Sequence, residues 1–292
     1  MIPGSTLRIP APAKLNLLLH VTGRRADGYH LLQTIFRFVD YGDELALCLR
    51  QDGQVSRSEG PQGVEAEQDL SVRAARMLQA ETGCKLGVDL RVNKRIPMGG
   101  GLGGGSSDAA SVLVGLNRLW RLGLSRAEIM ALGGTLGADI PVFVFGRSAF
   151  AQGVGNELLP ISIAPAWYVV LTPPVQVITA TVFSEPKLTR NSNPIRIPAF
   201  FAGQGRNDLE AVVRERYTDV DQYLRWLAGH GPATMSGSGS CVFCAVDSEA
   251  GARSIVARLP RSMAGFVARG LDHHPLYHWL DHGRGLGAGC EQ

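Results

Sequence analysis

Residues 97–110 read PMGGGLGGGSSDAA, and six of the seven residues from Gly99 to Gly105 are glycine. Glycine admits positive φ and leaves no Cβ in the way. A chain that turns freely here can aim several N–H groups at one point. Ser106, Ser107 and Asp108 can then open a helix. Its first-turn N–H groups lack intrahelical acceptors, and its positive dipole end faces the same point. Such a place binds phosphates. The plainer alternative is a flexible linker, but linkers are flanked by polar, disordered sequence. This run lies between an apolar strand pattern over 86–92 and an apolar helix pattern through Ala109, Val112, Leu113, Leu116, Leu119 and Trp120.

The kind of phosphate loop can be narrowed by elimination. A P-loop ends in Gly-Lys-Ser/Thr, whereas Gly105 is followed by Ser106 and the loop has no lysine. A dinucleotide fingerprint can be laid on Gly99, Gly101 and Gly104. The acidic residue it needs about twenty positions on is missing, since that stretch reads Leu122-Gly123-Leu124-Ser125. The protein-kinase signatures H-R-D and D-F-G are absent.

Bulk properties exclude several classes. The chain has 292 residues, 45% hydrophobic and 19% charged, which suits a globular protein with a large core. Its net charge of +3 suits an anionic small substrate and is too weak to argue for nucleic acid. The N-terminus carries no leader pattern and no apolar stretch reaches ~18 residues, so no membrane is expected and a cytoplasmic protein is. Cys241 and Cys244 form a C-x-x-C without a second ligand pair, read as core packing. The sequence leaves monomer and homodimer open.

Strands are expected over 7–9, 15–21, 31–39, 44–49 and 86–92, and a surface loop over 51–67. Helices are expected over 70–82, after Ala109, and after the capping box Ser125-Arg126-Ala127-Glu128. Residues 142–145 read as a short apolar strand. In the second half, strands are expected over 167–172 and 241–246 and helices over 180–184, 209–227 and 250–258. An edge strand is expected over 265–269, and a frayed tail from Gly283. Strands cluster early, so the class is α+β rather than a doubly wound sheet. Residues 1–160 and 161–292 are read as two units.

Three segments recur in a telling order: Pro12-Ala13-Lys14-Leu15-Asn16-Leu17, the loop 97–108, and Met235-Ser236-Gly237-Ser238-Gly239-Ser240. Together they resemble the three motifs of the GHMP small-molecule kinases. Lys14-Leu15-Asn16, Asp27-Gly28-Tyr29-His30 and Gly137-Ala138-Asp139-Ile140-Pro141 narrow the resemblance to the branch that phosphorylates a cytidylyl-methylerythritol. The likeness runs from about residue 8 to about Leu276. It implies a two-domain α+β kinase fold with the active site in the interdomain cleft. It also implies ATP with Mg²⁺, and transfer of the γ-phosphate to the 2-hydroxyl of the methylerythritol moiety.

The chemistry of the residues agrees with that expectation. Phosphoryl transfer needs positioning and charge neutralisation more than covalent help. Pro97, Met98, Gly99, Gly100, Gly101, Leu102, Gly103, Gly104, Gly105, Ser106 and Ser107 are the expected phosphate cradle. Asp139 can accept the hydroxyl proton, although a lone Asp before a turn is usually a cap. Lys14 can orient Asp139 or bind the moving phosphoryl group, and Asn16 can orient the hydroxyl. Asp108 reads as a helix-start charge, not a base. The resemblance implies that Tyr29 stacks on cytosine, His30 hydrogen-bonds its edge and Phe183 is a second stacking ring. Core packing is the alternative for Phe183. No metal ligand is assigned, and His274, His278 and His282 are read as surface residues. Sister kinases for homoserine, mevalonate or galactose compete, but would leave a cytosine pocket idle. A non-catalytic sensor would have lost Lys14 or Asp139.

Overall fold

The computed structural model describes residues 5–281 and 286–288. Two very long strands form its spine: β1 (Ser5–Arg24) and β2 (His30–Arg50). They pair antiparallel along nearly their whole length and join through a tight turn with Gly28 at φ 90°. The sequence suggests four separate short strands here. The pairing runs on through the polar interruptions: Asp40 is exposed, buried Asp43 stays in register opposite Ala11, and bulges fall between Pro12 and Lys14 and between Asn16 and Leu18.

The expected loop over 51–67 contains a strand, β3 (Val55–Glu59), which runs parallel to β4 (Gly87–Asn93). Between them lies α1 (Leu70–Thr82), capped by the Asp69 side chain. After the glycine run comes α2 (Gly104–Leu119), whose N-cap is Gly103 rather than a serine. Its inner face packs on β1, where Ser107 and Ser111 Oγ donate to the carbonyls of Pro12 and Pro10 at 2.7 and 2.9 Å. The capping box at Ser125 opens α3 (Arg126–Leu136) as expected. Residues 140–145 form a helix, α4 (Ile140–Phe145), not a strand; Pro141 in its first turn pre-sets φ there. Two short strands follow, β5 (Ala149–Gln152) and β6 (Glu157–Pro160). The first core lies between β1, β2 and β4 and the helices α1, α2 and α4.

The second core is built on β7 (Trp167–Leu171), β8 (Ala233–Met235) and β9 (Val242–Val246). Around it lie α5 (Thr179–Ser184), α7 (Glu210–Arg216), α8 (Thr218–Ala228) and α9 (Glu249–Val256), while α6 (Ile197–Phe201) packs through Ile197 and Phe200 against Leu18, Ile35 and Phe150 of the first half. A single helix over 209–227 is replaced by two, broken at Tyr217, which takes an extended φ/ψ. Cys241 and Cys244 are buried, as core packing requires.

The last strand of the second half, β10 (Gly265–Leu271), is not an edge. It pairs with β7 along one side and with Phe38 and Val39 of β2 at its end, joining both halves in one sheet. Beside this joint, buried Arg37 forms an ion pair with Asp272 and donates to the Ile163 carbonyl at 3.1 Å. Helix α10 (Pro275–Asp281) closes the described chain before β11 (Leu286–Ala288), which pairs with β1 where fraying is expected; the rest of that tail lies outside the described residues. His274 is buried, not a surface residue. It packs edge-on against Phe38, and burial pushes its pKa down to about 3. His278 is exposed and His282 lies outside the described residues.

Candidate active site

A cavity of about 500 Å³ opens between the two halves, lined by the glycine run, Lys14, Asn16, Asp139, Phe183 and the loop 237–239. Strand periodicity puts Lys14 and Asn16 on one face of β1. The Lys14 side chain is 3% exposed and its ammonium lies among three oxygens. Asn16 Oδ1 lies at 2.5 Å, the Gly101 carbonyl at 3.0 Å and Asp139 Oδ2 at 3.2 Å. Thr34 on β2 receives the Asn16 amide at 2.8 Å and passes its own proton to the Leu18 carbonyl at 2.6 Å, which fixes the orientation of the Asn16 side chain.

Asp139 sits in the N-cap position of α4 but makes no capping bond. Its carboxylate turns to Lys14 and keeps 37% of its surface exposed to the cavity side. A cap would have spent that carboxylate on backbone N–H groups.

The glycine run has an asymmetric hydrogen-bond ledger. Its carbonyls face the protein: Gly99 O accepts from Ser240 N, Gly100 O from Cys241 N and Leu102 O from Lys14 N, while Gly101 O accepts from Ser236 Oγ at 2.9 Å. The N–H groups of residues 99–103 meet no protein acceptor among the described residues. Positive φ at Gly99, Gly101 and Gly103, near 70° in each, produces this alternation. A Cβ on Gly101 would lie 2.1 Å from the Ser236 carbonyl. The helix-start N–H groups of α2 add to the same face. Pro97 to Ser106 all line the cavity; Ser107 does not. Its N–H donates to Gly103 O and its hydroxyl to Pro12 O, so both donors are used inside the protein.

The second small-residue loop is held against the first. Asn207 donates to the carbonyls of Met235 and Gly237 at 2.8 and 2.7 Å. Ser238 Oγ meets Thr179 Oγ at 2.7 Å, linking this loop to α5, which carries Phe183. Phe183 and His30 are brought together, with ring centroids 4.9 Å apart and planes 31° from parallel. Tyr29 stands at the end of the β1–β2 turn, just before β2, and is 67% exposed. Burial, aided by the guanidiniums of Arg190 and Arg24, holds the His30 pKa below its usual value.

Asp108 is not a solvated helix-start charge. It is buried, and Lys94 bridges it at 2.8 Å to Asp43, which also accepts from the backbone N–H of Ile96 at 2.8 Å. Burial is the main cause that raises the Asp108 pKa, to about 8, against the pull of Lys94.

Residues 69–147 match the model of the GHMP kinases N terminal domain, and residues 191–265 that of the GHMP kinases C terminal. The chain is a GHMP kinase. Among similar proteins, 4-diphosphocytidyl-2-C-methyl-D-erythritol kinase of Aromatoleum aromaticum is 58% identical over 93% of this chain and 95% of its own length. The protein of the same name from Thiobacillus denitrificans is also 58% identical, over 93% and 98%. A crystal structure of 4-(cytidine 5'-diphospho)-2C-methyl-D-erythritol kinase is 33% identical, covers 90% of this chain and 98% of its own, and superposes with a TM-score of 0.78. Homoserine kinase from Cytophaga hutchinsonii, 16% identical with a TM-score of 0.66, shares the fold.

For this GHMP kinase, sequence reasoning missed three of the groups that orient the site residues: Thr34, Asn207 and Arg190. Thr34 is a polar residue on the inward face of an apolar strand, a signal that could have found it. Arg190 sits in an irregular Asn/Pro stretch and gives no such signal.

Proposed function

We propose that this kinase transfers the γ-phosphate of ATP to the 2-hydroxyl of 4-diphosphocytidyl-2-C-methyl-D-erythritol, a step in making isoprenoid precursors. The observation that carries the reading is the row of unpartnered N–H groups over 99–103 facing the same cavity as the Lys14–Asp139 pair. The relatives of the same activity, at 58% identity over nearly full length, support the choice of acceptor.

In this reading the loop amides from Gly99 to Ser106 cradle the ATP phosphates, with Pro97, Met98 and Leu102 shaping the loop and Ser107 anchoring it. The substrate hydroxyl oxygen attacks the γ-phosphorus, the bond to the β-phosphate oxygen breaks, and ADP leaves. Asp139 takes the hydroxyl proton. Lys14 orients that carboxylate and offsets negative charge on the phosphoryl group in flight, and Asn16 steadies the hydroxyl. Tyr29 and Phe183 stack on the cytosine and His30 bonds its edge, so the base acts as a remote handle. Mg²⁺ fits as a companion of ATP, which supplies most of its oxygen ligands in such sites, and Asp139 is the carboxylate at hand. When bound, it neutralises phosphate charge. Residues 1–160 and 161–292 act as the two walls of the cleft, and the enzyme works in the cytoplasm.

A coupled assay of ADP release tests the acceptor. The cytidylyl-methylerythritol should be turned over with a kcat/KM far above that for free methylerythritol phosphate, homoserine, mevalonate or galactose. Preference for any of the last four overturns the proposal.

A further inference from the structure

Arg190, on the loop after α5, uses every nitrogen of its guanidinium. Nη1 donates to the Leu188 carbonyl at 3.1 Å, and Nη2 donates to the carbonyls of Phe183 and Glu185 at 2.9 and 2.7 Å. Nε donates to Nε2 of His30 at 3.2 Å. The first three bonds hold the guanidinium in the turn that carries Phe183. The fourth crosses to the start of β2. One side chain therefore sets both members of the His30–Phe183 ring pair.

The fourth bond has a chemical consequence. An arginine N–H is only ever a donor, so His30 Nε2 must accept. A neutral imidazole that accepts at Nε2 carries its proton on Nδ1. Free imidazole side chains have no such constraint. With Nε2 taken, the polar atom His30 has left for a ligand is Nδ1–H, a donor. Cytosine presents a lone pair at N3; uracil presents N3–H at the same place.

We propose that Arg190 is a positioning residue that locks His30 as the Nδ1–H tautomer and thereby selects a cytosine over a uracil base. The selectivity half rests on the substrate reading above; the tautomer half does not. The groups facing His30 are consistent with a neutral ring: Arg190 from the α5 loop and Arg24 from β1 are both cationic, and Phe183 is apolar.

Two measurements test this on the intact enzyme. The first is long-range ¹H–¹⁵N correlation of labelled histidines, with His30 assigned by loss of its signals in His30→Asn. The expected spectrum has a protonated Nδ1 and an acceptor-type Nε2. In Arg190→Ala the pattern should move toward Nε2–H, and Arg190→Gln, which retains a side-chain N–H donor, should move it less. An Nε2–H signal in the wild type, or no change in Arg190→Ala, overturns the proposal.

The second measurement compares cytidylyl and uridylyl forms of the substrate. Arg190→Ala should cut the ratio of their kcat/KM values by about tenfold, the size of one hydrogen bond, through KM rather than kcat. A loss shared equally by both forms, or one confined to kcat, overturns the selectivity half. If the wild type ignores the cytidylyl substrate altogether, the proposed function fails, while the spectrum still decides the role of Arg190. Should Arg190→Ala not fold, Arg190→Gln alone carries both tests, with a partial tautomer shift and a smaller fall in the ratio expected and no change in either overturning the proposal.

Discussion

Lys14 Nζ and Asp139 Oδ2 meet at 3.2 Å on one wall of the cleft, one carried by β1 and the other by the corner between α3 and α4. The two side chains differ in what else they do. Lys14 also serves two oxygens inside the protein, from Asn16 and Gly101, whereas Asp139 caps nothing.

Substitution at the two positions should therefore separate. Asp139→Asn is expected to lower kcat by at least ~10², the usual scale for a positioned base, with ATP affinity nearly unchanged. Lys14→Ala should lower kcat and also cost about 1–3 kcal/mol of stability, because it strands buried acceptors. Rate measurements paired with thermal melts check both. Near-normal turnover in Asp139→Asn would remove it from the reaction.

The glycine run divides by what surrounds each position. A Cβ at Gly105 meets only Leu70 Cδ1, at 3.5 Å, and the residue is helical. Gly105→Ala should fold at least as stably as the wild type, since alanine is the better helix former by ~1 kcal/mol. Gly101→Ala places its Cβ against the Ser236 carbonyl at a φ that side chains rarely adopt. It should lose several degrees of melting temperature and most ATP binding together. Gly103→Val would press on Lys14 Cε and Phe143 at about 3.0 Å, so it reports on the lysine as well as the loop. Calorimetric titration with ATP and melts of each variant test this division.

Tyr29 and Phe183 should behave unequally. Each ring, removed singly, is expected to cost ~1–3 kcal/mol in kcat/KM for the cytidylyl substrate, the worth of one stacked base. Tyr29 is largely exposed, so Tyr29→Ala should leave stability alone. Phe183 also packs against the second core, so Phe183→Ala should lower the melting temperature too. Slow transfer to free methylerythritol phosphate should be untouched in Tyr29→Ala; an equal loss on both substrates would end its role in base recognition.

Asp108 predicts a pH dependence. Its carboxyl is raised to about 8 in the folded protein, chiefly by burial, above its unfolded value near 4. The folded state holds that proton more tightly, so this contribution to stability is complete below about pH 4 and is lost as pH rises toward 8. Asp108→Asn has no such proton to lose. The melting temperature of the variant minus that of the wild type should grow between pH 5 and about 8 and then level off. A difference that is flat or shrinks with pH would mean that Lys94 keeps Asp108 ionised.

What the sequence made legible is what rests on short-range chemistry. The capping box at Ser125, helix α1 and the glycine run entering α2 follow from local rules, and the structure has them. The strand expected over 142–145 failed because β-branched and aromatic residues favour strands in isolation. Here a proline in the first turn and burial against α2 and α3 decide otherwise. His274 read as surface because it lies in the tail, next to a helix-breaking Pro275 and with no fixed acidic partner. Only the fold reveals that it faces Phe38. The same holds for Asp108 and Lys94, which are brought to Asp43 across more than fifty residues of chain. At the candidate site, Lys14, Asn16, Asp139 and the loop were readable because they sit in contiguous motifs. Arg190 was not, because its meaning lies in four acceptors, one of them 160 residues away.

Strand β10 leaves this enzyme without a clean parting line. A piece ending near residue 160 would carry a raw hydrogen-bonding edge at Phe38 and Val39 and a buried guanidinium at Arg37 bereft of Asp272. Bare edges and stranded charges both invite aggregation or unfolding. The halves are therefore expected to melt together in one transition, which calorimetry of the intact chain would read. For the same reason, any opening of the cleft is a flexing of one continuous sheet rather than the separation of two free bodies.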